Sequence, residues 1–118
     1  MRKLSLLALA AVLVSALVLP GTGTAGQRPT RTVEIGDDFF KPRSIRVKKG
    51  TRVIFKWTGI NRHNARGMEG QRFTTGLRGR TSGQKGVTIN AARGTRIEYI
   101  CEFHPDVMIG VIRVSRRR

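Results

Sequence analysis

One cysteine among 118 residues means that no disulfide can staple this chain to itself. Acid is scarce as well. Seven Asp and Glu stand against 23 Lys and Arg, for a net charge of +16. Two histidines are too few for chemistry that needs several clustered imidazoles. Beyond residue 25, no apolar stripe of helical period lasts longer than about two turns, which argues against a helical fold. Long hydrophobic runs are missing too, apart from residues 4–19, a stretch a little short of the ~20 residues that span a bilayer.

That one run has its own reading. Arg2 and Lys3 precede it, Pro20-Gly21 break it, and small residues Gly23 and Ala25 follow. This is the pattern of a secretory signal peptide, residues 1–25, cut after Ala25. No cysteine follows the run to carry a lipid, so membrane attachment is expected only through an uncleaved signal anchor. The remainder, 26–118, is long enough for one modest core but not for two lobes around a cleft, which excludes a large enzyme. Exported to the periplasm, cell envelope or exterior, such a protein meets no nucleic acid. Its basic charge then implies an acidic partner protein or an anionic envelope surface.

The mature chain reads as strands. Val33 and Ile35 alternate, as do Ile45 and Val47. Val53, Phe55 and Trp57 share one face of a third run. Val87 and Ile89 mark a fourth, Ile97, Tyr99 and Cys101 a fifth, and Ile112 and Val114 the last. Period-2 alternation rich in β-branched and aromatic residues, punctuated by Gly, Asn and Asp, predicts an all-β sandwich or barrel. Residues 64–86, rich in Gly and Arg, are expected to be loop with at most short strands. The tail Arg116-Arg117-Arg118 is expected to be solvated.

A lone thiol outside the cell needs deep burial or chemical employment. Cys101 lies three positions before His104, and Met108 four after it, so Cys, His and Met crowd one eight-residue loop. His63 sits in the polar loop after the third run. Both histidines and the only cysteine thus join one pattern with a methionine. Two imidazoles, a thiolate and a weak thioether suit a single copper ion of type 1. A sandwich whose loops cluster at its ends can bring these stretches to one pole. Zinc would leave Met108 unexplained and lacks a well-spaced carboxylate base. Asn64 is expected beside the site, its amide tying the His63 loop to the Cys101 loop. Met68 is expected to be exposed, Trp57 and Tyr99 to be core, and Glu102 and Asp106 to be solubilising charges.

From Thr32 to Ser115 the chain resembles the cupredoxins, small blue copper proteins of the plastocyanin, pseudoazurin and amicyanin type. The resemblance rests on Phe39-Phe40-Lys41-Pro42 leading through Gly50 to Trp57, and on His63-Asn64. It rests also on Tyr99-x-Cys101-x-x-His104 followed by Met108, Gly110, Ile112 and Val114. It implies a Greek-key β-sandwich, with His63, Cys101 and His104 as strong copper ligands and Met108 as the axial one. Three features depart from that pattern. Three residues separate His104 from Met108 where familiar members have two or four. Glu102 stands where a small residue is common. The 64–86 loop is unusually rich in Gly and Arg.

The implied function is single-electron transfer between redox partners through a Cu(I)/Cu(II) centre, by a monomer that is not an enzyme. The His104 edge is the expected exit, with Pro105 and Val107 in an apolar docking patch. The alternative is an extracytoplasmic copper carrier or buffer that delivers metal to another protein. A third reading gives the basic face a role of its own, binding anionic polymers of the envelope through the tail and the arginines of residues 62–80.

Overall fold

The computed structural model describes residues 28–118, so the expected signal peptide lies outside the described residues. Nine strands and no helix make up these residues. They are β1 (Thr30–Gly36), β2 (Phe39–Lys41), β3 (Ser44–Val47), β4 (Arg52–Trp57), β5 (Arg66–Glu69), β6 (Phe73–Thr74), β7 (Gln84–Thr88), β8 (Arg96–Ile100) and β9 (Ile109–Val114). One sheet has the order β2-β1-β4-β7 and the other β3-β9-β8-β5-β6. Two of the pairings, β1 with β4 and β3 with β9, are parallel, and the rest are antiparallel.

The alternation in sequence is the alternation in burial. Along β4, Val53, Phe55 and Trp57 are buried while Arg52 and Lys56 are exposed. Along β9, Ile112 and Val114 are buried and Arg113 is exposed. Each inward side chain of this size contributes ~1.5–3 kcal/mol by leaving water. The two inner faces meet around Tyr99, whose ring packs edge-on against Phe40 (centroids 4.7 Å) and Phe55 (5.4 Å). Tyr99 also lies directly over Gly110, where a Cβ would fall inside its ring. The Tyr99 hydroxyl is buried without a hydrogen-bond partner among the described residues, and burial pushes its ionisation well above the usual phenol range.

All six expected runs became strands, with small shifts. Ile89 lies just past β7, its N–H donating to the Thr51 carbonyl at 2.9 Å. Cys101 lies just past β8, buried like Ile97 and Tyr99. Three short strands, β2, β5 and β6, are additional. β5 and β6 are short strands of the kind allowed for in the 64–86 segment, and the end of that segment opens β7. These strands were hard to place because runs of two to four residues are too short to show a period-2 pattern.

Candidate metal centre

Strand β4 delivers the chain to the loop that carries His63, and the backbone of that loop is anchored on three sides. The Trp57 indole N–H donates to the His63 carbonyl at 2.8 Å. The Arg80 N–H donates to the same oxygen at 2.9 Å, and the His63 N–H donates to the Arg80 carbonyl at 3.0 Å. Gly79, at φ +67°, makes this close approach possible. A Cβ there would press on Phe103, Arg62 and the His63 carbonyl. Trp57 therefore belongs to the core, as expected, and also fixes where His63 begins.

The second loop runs from Cys101 to Met108 and is closed on itself. The Cys101 N–H donates to the Met108 carbonyl at 3.0 Å, and the His104 N–H donates to the Cys101 carbonyl at 3.2 Å. The His104 carbonyl accepts from both Val107 and Met108. The loop thus leaves β8 and re-enters β9 with both ends pinned by main-chain bonds. Met108 is fully buried at its end.

Between the two loops three donor atoms converge. Cys101 Sγ lies 3.8 Å from His63 Nδ1 and 3.8 Å from His104 Nδ1. All three atoms lie within 4.8 Å of one another. Sulfur and nitrogen bound to one first-row ion at ~2.3 and ~2.0 Å, and separated by ~120°, stand about 3.7 Å apart. The spacing found is that of two donors on a shared ion. A soft thiolate with two imidazoles, and a thioether close by in the chain, fits a type 1 copper site. His63 and Cys101 are fully buried, while the His104 side chain is 35% exposed. Met68, on β5, is exposed, as expected.

Asp37 faces the outer edge of His63, with its Oδ1 2.9 Å from Nε2. A carboxylate only accepts, so Nε2 carries the proton and donates it to Asp37. Nδ1 is left with its lone pair toward the sulfur. Asp37 is itself held by the N–H groups of Ile60 (3.1 Å) and Asn61 (2.9 Å). The His63 bond and these two amides hold its carboxyl down at about 2, so it stays ionised. The sequence reading gave Asp37 no role. It sits in the two-residue turn between β1 and β2, where an Asp is the default turn residue. Its partner lies 26 positions away.

Asn64 is fully buried and spends its whole amide on the neighbouring loops. Its Oδ1 accepts from the Glu102 N–H at 2.8 Å. Its Nδ2 donates to the Gly76 carbonyl and to Glu102 Oε1, both at 3.1 Å. Glu102 accepts in addition from Arg66 at 3.0 Å. The expectation that Glu102 is only a solubilising charge is therefore corrected. Its carboxylate closes a link between β5, the His63 loop and the Cys101 loop. The spacing of residues 64, 66 and 102 in sequence carries no signal for this.

No protein-family model matches the chain, and no curated protein matches it in sequence. Solved structures do match. A purple cupredoxin from Nitrosopumilus maritimus is 22% identical, covering 71% of this chain and 98% of its own, with a TM-score of 0.62. A Sinorhizobium pseudoazurin is 25% identical, covering 74% of each chain, with a TM-score of 0.58. A copper-containing nitrite reductase from Thermus scotoductus is 26% identical over 76% of this chain, with a TM-score of 0.59. This chain corresponds to only 23% of the reductase's length. The fold is that of the cupredoxins.

Proposed function

We propose that this chain, a cupredoxin, carries single electrons between redox partners outside the cytoplasm. One copper ion would be held by His63, Cys101 and His104, with Met108 as a weak fourth ligand. The observation that carries the reading is the convergence of one sulfur and two Nδ1 atoms, from loops 38 positions apart, with the sulfur 3.8 Å from each nitrogen. When bound, copper supplies a one-electron Cu(II)/Cu(I) couple that thiolate and imidazole donors accommodate in both states.

The chain's own residues supply rigidity and access. Asp37 fixes the tautomer and tilt of His63, and Asn64 and Glu102 tie the two donor loops together. Donors held this way have little room to rearrange when the charge at the centre changes. His104 alone among the three reaches solvent, so its ring edge is the electron's way in and out. Exposed Phe103 and Val107 flank it on the same loop and supply an apolar docking rim. The strongly basic charge, carried almost wholly by residues beyond 25, steers the protein to an acidic partner. Both histidines are committed to this cluster, which leaves no imidazole for a second metal centre and supports a carrier rather than an enzyme.

The test is the optical and electron paramagnetic resonance spectrum after Cu(II) is added. An intense visible thiolate-to-copper band, bleached and restored by one-electron reduction and oxidation, is expected. Its absence would sink the reading. Rapid loss of reduced copper to a competing Cu(I) chelator would favour a copper carrier instead.

A further inference from the structure

The pole opposite the donor loops holds a second feature, independent of copper. Arg46 on β3 is in register with Arg113 on β9, and Arg113 is in register with Arg96 on β8. Three guanidinium side chains therefore stand side by side on the solvent face of three adjacent strands, all exposed. With strands ~4.8 Å apart, the row spans about 10 Å. Like charges directly opposite one another weaken a sheet unless something neutralises them. The chain offers little that could. Its seven side-chain carboxylates are Glu34, Asp37, Asp38, Glu69, Glu98, Glu102 and Asp106. Among the described residues, only Glu98 meets the row, pairing with Arg96 at 2.9 Å, and its own register partner is another acid, Glu69. Arg113 and Arg46 have no carboxylate partner among the described residues.

The row also lines a groove of about 660 Å³, together with Arg116, Arg117 and the Thr95 and Ser115 segments. The groove is backed by main-chain bonds, Val114 N–H to the Thr95 carbonyl and Ser115 N–H to the Val47 carbonyl. It is too large for a single small anion and has five arginines to offer. Guanidinium groups take phosphate oxygens in paired hydrogen bonds, which suits them to this chemistry better than a point charge.

We propose that this arginine row is a binding site for phosphate-type oxyanions that carry two or more charges about 5 Å apart. The groove sits where β8 begins and β9 ends, whereas the donor loop joins the other ends of those strands. Five residues of extended chain separate Arg96 from Cys101, about 17 Å. An anion held here leaves the His104 edge free. The phosphate groups can belong to a soluble polyanion or to lipid headgroups, and the two sources are separable by experiment.

The copper-loaded protein is titrated with inorganic pyrophosphate and, separately, with vesicles of phosphatidylglycerol or phosphatidylcholine. Two variants accompany it. One is R46Q/R96Q/R113Q. The other, K49Q/K56Q/K85Q, removes the same charge from exposed sites elsewhere. Saturable pyrophosphate binding that weakens about tenfold or more in the arginine variant, but not in the lysine variant, supports a site for a soluble anion. Binding to phosphatidylglycerol vesicles alone, with the same dependence on the variants, supports headgroups as the source. Without any anion at low salt, the arginine variant should melt higher than the parent, because the repulsion is gone. Equal losses in both variants would mean net charge alone is at work and would overturn the proposal, as would no binding to either probe.

Discussion

Asp37 Oδ1 lies 2.9 Å from His63 Nε2, so a carboxylate from the β1–β2 turn orients an imidazole that faces the only thiol. Replacing Asp37 by Asn keeps an acceptor but removes the negative charge. Copper affinity should then fall ~10–100-fold, in line with other residues that support metal-bound histidines. The reduction potential should rise, because the lost charge stabilised the more positive oxidised state. Competition dialysis and voltammetry read both, and an unchanged potential would deny Asp37 its electrostatic part.

Cys101→Ser replaces the sulfur with a hard, poorly ionised oxygen in a position that is fully buried. The visible charge-transfer band should vanish. The backbone bonds that close the 101–108 loop do not involve the sulfur, so near-ultraviolet circular dichroism of the metal-free protein should stay native. A blue Cys101→Ser protein would mean that the thiol is not a ligand.

Asn64→Ala removes three hydrogen bonds and leaves the Glu102 N–H without its partner. A loss of ~1–3 kcal/mol in denaturant unfolding is expected. Asn64→Asp should be no better, since the oxygen replacing Nδ2 would face the Glu102 carboxylate and the Gly76 carbonyl. An Asn64→Asp protein as stable as the parent would argue that the amide does not join the loops.

Tyr99 and Gly110 make a paired test of the core. Gly110→Ala drives a methyl group into the Tyr99 ring and should cost about 3 kcal/mol, near the top of the range for overpacking. Tyr99→Phe removes a buried hydroxyl that has no partner, and should leave stability equal or up to ~1 kcal/mol higher. Thermal melts decide both. A strongly destabilised Tyr99→Phe protein would reveal a hidden bond to that hydroxyl.

Association with an acidic redox partner should slow as salt rises, with a screening length near 8 Å at physiological ionic strength. Stopped-flow rates at increasing salt test this. Rates independent of salt would show that the basic charge does not steer the encounter.

The sandwich was legible because its inward positions repeat every second residue, as in Val53-Phe55-Trp57 and Ile112-Val114. That local pattern is set by which side chains must leave water. The short strands β2, β5 and β6 could not be placed, because two to four residues are too few to show an alternating pattern. The meeting of His63, Cys101 and His104 was legible because histidine and cysteine are so few that their spacing stands out.

Chemical identity and period, then, were determined by the sequence itself: which atoms can hold a soft metal ion, and which faces of the strands turn inward. Only the tertiary structure decided who stands beside them. Asp37 meets His63 across 26 positions, Asn64 meets Glu102 across 38, and Arg46, Arg113 and Arg96 fall into one row. These neighbours are made by strand order and register. Both are global outcomes of packing two sheets together, and no short stretch of the chain encodes them.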